Sequence, residues 1–248
     1  MLFSNSPGER KIGRDKVTNT DIKFPKGNKI TLFSTKVLHW FSDHKRRFAW
    51  REPSTDRYMK IVAEVLLQRT RAETVSAFLP QFLQLYPDWE SLAQADETVL
   101  SEVLKPLGLW RRRTTSLLGL ARGIVEREGI WPLDRQDLES IPAVGQYVAN
   151  AVLLFEHSSN APLLDASMAR LLRRYFDLSP VKADIRYDKL LQTVAYKVLR
   201  QGNPISLNWG MLDLAAVHCK PSTPKCDTCP LRSTCQFARS SRRSPNEA

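Results

Sequence analysis

Apolar side chains recur along most of this chain at the three- and four-residue spacing that is typical of amphipathic helices. The alternation of apolar and polar positions that would indicate strands is nearly absent. The pattern predicts ten helices, at residues 30–46, 57–70, 72–86, 96–104, 111–128, 135–140, 146–157, 165–176, 186–202 and 207–217. The prolines that punctuate the chain are expected at or near helix ends: Pro80, Pro87, Pro106, Pro132, Pro142 and Pro180. The predicted fold class is therefore all-α.

The composition is that of an ordinary globular protein with a strong positive charge. Of the 248 residues, 42% are hydrophobic and 25% are charged, which argues against a disordered chain. Lys and Arg number 37 against 26 Asp and Glu, a net charge of +11, which predicts either nucleic acid or an anionic membrane surface as partner. Apolar runs such as 151–155 are too short to span a bilayer, and residues 1–11 lack the apolar segment of a signal peptide. We therefore expect a soluble, cytoplasmic protein.

All four cysteines lie in one short segment near the end of the chain. Their spacing is Cys219-x6-Cys226-x2-Cys229-x5-Cys235. Thiols packed this closely indicate a metal or cluster site in a reducing compartment. Structural zinc is one possibility, but the single CxxC pair and the longer flanking gaps favour an iron–sulfur cubane. Lys220, Lys225 and Arg232 in the same segment would offset the thiolate charge and face a phosphate backbone.

A tight turn separates two predicted helices in the middle of the chain. The first helix opens near Asp134 and stops at Ile141-Pro142, the turn is 143–145, and the second helix begins at Gln146. The first amides of a helix have no intrahelical acceptor, so Val144, Gly145 and their neighbours can bind a phosphate without reading sequence. The alternative is an ordinary corner between two helices.

Two carboxylates are candidates for chemistry. Asp165 precedes a predicted helix and is expected to be its N-cap, where backbone amides would keep its pKa low and hold it as an anion. A permanent anion suits an oxocarbenium-like sugar transition state. Glu64 lies in a helix that is apolar nearly all round, with Gln68 on the same face, so it is expected to be paired or to line a pocket. The alternative for Glu64 is an exposed position on a narrow solvent side.

The order of these motifs resembles that of the helix-hairpin-helix DNA glycosylases, the superfamily of endonuclease III and adenine–DNA glycosylase. The matching motifs are Phe48-Ala49-Trp50-Arg51, residues 63–70, the hairpin 141–149, Leu164-Asp165 with Arg170, and the four cysteines. The resemblance implies a bilobal all-α enzyme with a 4Fe-4S cluster and DNA lying across its cleft. It implies a helical barrel lobe (55–160) and a cluster lobe made of 29–54 and 161–238. The polar and basic composition of 1–28 and 239–248 predicts a flexible extension and a flexible tail.

Tyr147 bears on which member of the superfamily this chain resembles. It stands where the bifunctional lyases carry their catalytic lysine, so the resemblance implies a monofunctional enzyme that leaves an abasic site. Leu109-Trp110 replaces the Tyr-Tyr pair that is usual in adenine–DNA glycosylases, and the sequence ends thirteen residues after Cys235, without their lesion-reading domain. Both features favour removal of thymine or uracil opposite guanine. The alternatives are an adenine–DNA glycosylase without that domain and a non-catalytic mismatch-binding protein.

The resemblance also implies a role for each site residue. Gln68, Arg69 and Leu109 would fill the gap that a flipped nucleotide leaves. Tyr147 would pack against the base or sugar, Asp165 would stabilise or add to positive charge at C1′, and Glu64 would contact the base or position water. The partner would be double-stranded DNA containing a mismatch, bound by a monomer. One departure is Ala143, where the family hairpin usually has glycine; a positive φ there would strain an alanine by about 1 kcal/mol.

Overall fold

The computed structural model describes residues 24–179, 182 and 184–240, and within them regular structure is helical throughout. The described part holds twelve α-helices: α1 (Gly27–His44), α2 (Arg57–Leu67), α3 (Ala72–Leu85), α4 (Trp89–Ala93), α5 (Glu97–Leu104), α6 (Trp110–Glu126), α7 (Arg135–Glu139), α8 (Gln146–His157), α9 (Ala166–Phe176), α10 (Lys189–Leu199), α11 (Pro204–Val217) and α12 (Gln236–Ser240). The all-α prediction is confirmed. Most of the predicted extension (1–23), the end of the predicted tail (241–248) and Pro180 lie outside the described residues.

The ten predicted helices are all present in some form, with ends that differ by a few residues. Side-chain caps explain several of the starts, because a carboxylate or amide oxygen accepts from a free backbone N–H in the first turn. The residues that cap in this way are Asp56, Asp88, Asp96, Asp134, Asp165, Asp188 and Asn203. Two five-residue helices, α4 and α12, were missed, whereas α7, which has the same length, was predicted. Pro80 lies inside α3 and not at its end; it is exposed on the surface, where water can compensate for the lost backbone bond.

The helices pack in two groups. Helices α2 to α8 contact one another, and α1, α9, α10, α11 and α12 form the second group, in which α11 lies against both α1 and α9. Buried side chains from both groups form one continuous apolar core. The second group combines the first helix with the last four. The chain therefore passes from α1 into the first group and enters the second group again at α9, after the hairpin. The starts of α6, α8 and α9 and the end of α2 then lie close together.

None of the helices in the described ranges is both long enough and apolar enough to cross a membrane.

Candidate active site and DNA-binding surface

A cavity of about 640 Å³ opens where the end of α2 meets the starts of α6, α8 and α9. Six residues that matter for its chemistry line it: Gln68, Arg69, Leu109, Arg112, Tyr147 and Asp165. Five of these were candidates in the sequence, although they are spread over nearly a hundred positions. Arg112 was missed, and its signal was the run of three arginines that follows Leu109-Trp110.

Asp165 occupies the mouth of helix α9. Its carboxylate accepts a hydrogen bond of 2.7 Å from the backbone N–H of Met168, which confirms the predicted N-cap. The expectation of a low pKa is wrong. Burial is the largest influence and raises the pKa of Asp165 above its usual value, while the amides of Met168 and Ser167, the Ser167 side chain and Arg170 offset only part of it. Ser167, which also lines the cavity, is a further residue that sequence reasoning missed.

Tyr147 and Glu64 form a pair at the wall of the cavity. The phenol of Tyr147, in the first turn of α8, donates a 2.8 Å hydrogen bond to Glu64 Oε2 on α2. Glu64 is only 1% exposed, so the paired position is confirmed and the exposed alternative is wrong. Burial raises the pKa of Glu64 to about 7, against smaller lowering effects from Tyr147 and Arg51. Desolvation and the carboxylates of Glu64 and Asp165 raise the pKa of Tyr147 well above its usual value, so the phenol stays neutral.

A buried ion network lies behind Glu64. Asp213 on α11 is fully buried and accepts from Arg46 Nε at 2.7 Å and from Arg51 Nη1 at 2.8 Å. Arg51 in turn lowers the pKa of Glu64. Trp209, whose buried indole N–H lacks a hydrogen bond of good geometry within the protein, also lies close enough to Glu64 to lower its pKa. Of these residues, only Arg51 was identified from the sequence, as part of a motif to which no role was assigned. Asp213 and Trp209 were missed because the apolar residues of α11 show no amphipathic pattern in which they would stand out.

Two of the three residues predicted to fill the gap left by a flipped nucleotide, Arg69 and Leu109, share an unusual backbone conformation. Arg69 has φ +59° and Leu109 has φ +48°, both in the left-handed region that favours glycine. Both side chains are exposed, and both line the cavity. The geometry therefore places one exposed cationic and one exposed apolar side chain at the rim of the same opening.

The hairpin lies between α7 and α8, with its turn packed against α6. Ser116 Oγ donates to the carbonyl of Ala143 at 2.7 Å, and a Cβ on Gly119 would lie 3.0 Å from the carbonyl of Pro142, so α6 and the turn meet closely. The N–H of Val144 donates to the carbonyl of Ile141 at 3.0 Å and is therefore used within the turn. Gly145 precedes α8 and lies beside the guanidinium of Arg112.

The cysteine segment packs against α9. Arg170 Nε donates to the carbonyl of Cys219 at 2.7 Å, and Arg174 donates to the Cys219 sulfur at 3.6 Å and to the carbonyl of Lys220 at 2.7 Å. Lys220 is half-buried and Lys225 is exposed. One small cavity is lined by all four thiols, namely Cys219, Cys226, Cys229 and Cys235. Within the described residues, no group of three or more His, Cys, Asp or Glu side chains is already arranged to hold a metal ion. Four thiols that line one cavity are nevertheless the kind of donor that a thiophilic group takes.

Burial also affects the thiols themselves. Together with a smaller effect of the neighbouring sulfurs, it raises the pKa of Cys229 to about 11. Thiols in this state favour the protonated form unless a positive centre binds them.

Comparison with known proteins agrees with this geometry. A thymine-DNA glycosylase of Aeropyrum pernix is 32% identical over 213 residues, covering 84% of this chain and 95% of the relative. A thymine/uracil-DNA glycosylase of Pyrobaculum aerophilum is 32% identical over 218 residues, covering 86% of this chain and 94% of the relative. A solved structure described as a thermostable thymine-DNA glycosylase superposes with a TM-score of 0.75 at 28% identity, covering 86% of this chain and 98% of the other.

A family model described as "HhH-GPD superfamily base excision DNA repair protein" matches residues 62–195, more than half of the chain. That stretch includes all the residues that line the cavity, among them Tyr147 and Asp165, and also Glu64, which is bonded to Tyr147. The chain belongs to the HhH-GPD superfamily of base excision DNA repair proteins.

Proposed function

We propose that this protein is a monofunctional DNA glycosylase that removes thymine or uracil mispaired with guanine, acting as a monomer in the cytoplasm. The observation that carries the proposal is that Asp165 and Tyr147 line one cavity, which Arg69 and Leu109 also line. The relatives named for thymine or thymine and uracil support the choice of base. They are matched over nearly their whole length.

Binding to DNA begins with charge. A chain of net charge +11 attracts the phosphate backbone, and the amides at the start of α8 with Arg112 beside them hold a phosphate near the cavity. Gln68, Arg69 and Leu109 enter the space left by the extruded nucleotide. Unpairing is least costly at a mismatch, which gives a first layer of selectivity. A cavity of about 640 Å³ is within the range that small-molecule sites occupy, so it can admit a base with its sugar.

Base removal follows from the charges in the cavity. The Asp165 carboxylate lies where positive charge develops at C1′ and stabilises it. Thymine and uracil leave as delocalised anions, so hydrogen-bond donors to their oxygen atoms matter more than full protonation of the base. Tyr147 packs against the base or sugar as a neutral phenol and supplies no amine, which excludes a Schiff base at this position. Attack by water completes the hydrolysis and leaves an abasic site.

Glu64 acts from behind Tyr147. It accepts the phenolic hydrogen, which fixes the direction of the Tyr147 hydroxyl and turns the oxygen lone pairs towards the cavity. With a pKa of about 7, Glu64 changes charge within the physiological range. Its part in the proposal is to orient Tyr147 and, through it, the base or the water.

The four cysteines are proposed to hold a 4Fe-4S cluster, which supplies a structural cross-link for the segment 219–235 when it is bound. Arg170 and Arg174 already fasten this segment to α9, whose first turn carries Asp165. Lys220 and Lys225 then face the phosphate backbone from the same segment.

One assay tests the proposal and its rivals. Duplexes carrying G:T, G:U, A:8-oxoguanine or only normal pairs are incubated with the protein and then treated with alkali. Breakage at T or U opposite G, only after alkali, is the expected result. Breakage opposite 8-oxoguanine would instead identify an adenine–DNA glycosylase, and binding without breakage would identify a mismatch-binding protein.

A further inference from the structure

Arg113, in the first turn of α6, makes an unusual set of hydrogen bonds. The residue is only 3% exposed, and its two terminal nitrogens lie within hydrogen-bond distance of five acceptors, which share their four hydrogens. They are the carbonyls of Leu66 (3.0 Å), Gln68 (2.7 Å), Leu107 (2.7 Å) and Gly108, and Thr70 Oγ1 (2.7 Å). Thr70 Oγ1 in turn donates to the carbonyl of Leu107 at 3.3 Å. One guanidinium thus joins the end of α2 to the loop before α6.

Two of these acceptors, the carbonyls of Leu66 and Gln68, lie at the end of α2. The last carbonyls of a helix lack intrahelical donors and carry a partial negative charge, so a cation placed there is stabilised. No carboxylate of the described residues pairs with Arg113. A buried guanidinium compensated by four backbone carbonyls and one hydroxyl, and by no carboxylate, is suited to holding backbone in place.

The backbone that it holds carries the two side chains at the rim of the cavity. Gln68, whose carbonyl accepts from Arg113, directly precedes Arg69, and Gly108, whose carbonyl also accepts, directly precedes Leu109. Arg69 and Leu109 both have positive φ. Non-glycine residues persist in that conformation only where their surroundings fix it.

We propose that Arg113 is a positioning residue that holds Arg69 and Leu109 together as one preformed wedge. Both side chains are then already in position when the target nucleotide leaves the duplex. The inference rests on the proposed function, since a wedge has a role only where a nucleotide is extruded. A lysine cannot reproduce the forked geometry that reaches two segments at once. Arg113→Lys therefore keeps the charge and loses the lock.

The experiment compares wild type, Arg113→Lys and Arg122→Lys. Arg122 lies on the same helix, is exposed, donates to the carbonyl of Ala93 at 3.3 Å and does not line the cavity, so it is the matched control. Flipping is followed by the fluorescence of 2-aminopurine placed next to a G:T or G:U mismatch. Binding to an undamaged duplex is measured in parallel, together with the single-turnover rate on the mismatch.

For Arg113→Lys we expect flipping and single-turnover rate to fall about 10- to 100-fold, with binding to undamaged DNA within about twofold of wild type. Arg122→Lys should match wild type in all three. Unchanged flipping in Arg113→Lys overturns the inference, and so does an equal loss of binding to undamaged DNA, which would mean a purely structural role. If Arg113→Lys does not fold, Thr70→Val replaces it in the experiment, because this change removes one acceptor of Arg113. The same three measurements then apply, and we expect a smaller loss of flipping and of single-turnover rate.

The fluorescence signal does not depend on base removal. Absence of thymine and uracil release by the wild type would therefore count against the proposed function. Absence of a difference between wild type and Arg113→Lys counts against this inference.

Discussion

Tyr147 on α8 and Glu64 on α2 are joined by a 2.8 Å hydrogen bond in which the phenol donates to a carboxylate that is almost completely buried. Tyr147 lines the cavity and Glu64 lies behind it. Because both groups are desolvated, the protonation of each depends on the other. The bond therefore couples the packing of two helices to the charge state of the site.

Glu64 should make stability depend on pH. Its pKa is about 7 in the folded chain against an ordinary value of 4.5, so between these two pH values the folded chain keeps a proton that the unfolded chain has released. The free energy of unfolding then falls as pH rises from 4.5 through 7, by at most about 3 kcal/mol. Urea unfolding of wild type and Glu64→Gln at pH 5 and pH 8 measures the effect.

Glu64→Gln keeps an oxygen that can accept from Tyr147 but has no proton to lose. Its stability should change less than that of wild type between the two pH values, and it should be the more stable of the two at pH 8. A variant with the same pH dependence as wild type would mean that Glu64 is not the titrating group.

Asp165→Asn should abolish base removal but preserve binding to mismatched DNA. Asparagine still accepts from the N–H of Met168 as an N-cap, so α9 is retained, but the negative charge at C1′ is lost. We expect a loss of at least about 100- to 1000-fold in single-turnover rate with mismatch binding preserved. Asp56→Asn is the matched control, because Asp56 caps α2 in the same way through Met59 at 2.7 Å. Full activity of Asp165→Asn would refute the assignment.

Much of the site could be read from the sequence because its residues carry local signals. The capping position of Asp165 and the polar Glu64 in an apolar helix are visible along the chain, and the structure confirms both environments. Contacts between helices that are far apart in the sequence leave no recognisable pattern along the chain. Arg113 looks like one of three equivalent arginines, and only the fold reveals that it alone is buried.

The same limit explains the error on the pKa of Asp165. The amides that lower it are predictable from the helix start, whereas the burial that raises it depends on packing around the cavity. Trp209 and Asp213 were missed for a related reason, since neither stands out in the apolar sequence of α11.

Tyr147→Lys should introduce strand cleavage. The position lines the cavity that Asp165 also lines, and desolvation there favours the neutral amine that attacks C1′ to form a Schiff base. The nearby carboxylates oppose that effect, so we expect slow cleavage without alkali on a G:U duplex. Borohydride trapping of a covalent protein–DNA product is the direct measurement. Tyr147→Phe is the control and should give neither product; absence of trapping by the lysine variant would mean that its geometry does not reach C1′.

The cysteine segment should bind iron. Protein purified without oxygen is expected to be yellow-brown and to contain about four iron atoms per chain. Cys226→Ser should lower the iron content and loosen the segment 219–235, which proteolysis would detect. A colourless protein with tightly bound zinc would contradict the cluster and favour a structural zinc site instead.

Ala143→Gly should leave the stability of the protein unchanged or increase it, whereas a change from alanine to glycine usually lowers stability. Ala143 has φ +59°, a conformation that costs a residue with a side chain about 1–2 kcal/mol and costs glycine almost nothing. The extra freedom of glycine in the unfolded chain offsets up to about 1 kcal/mol of this gain. Ala77→Gly is the control: Ala77 is exposed inside α3, where the same substitution should lower stability by about 1 kcal/mol. Thermal unfolding of both variants measures the difference, and an equal loss in both would mean that the turn does not hold Ala143 under strain.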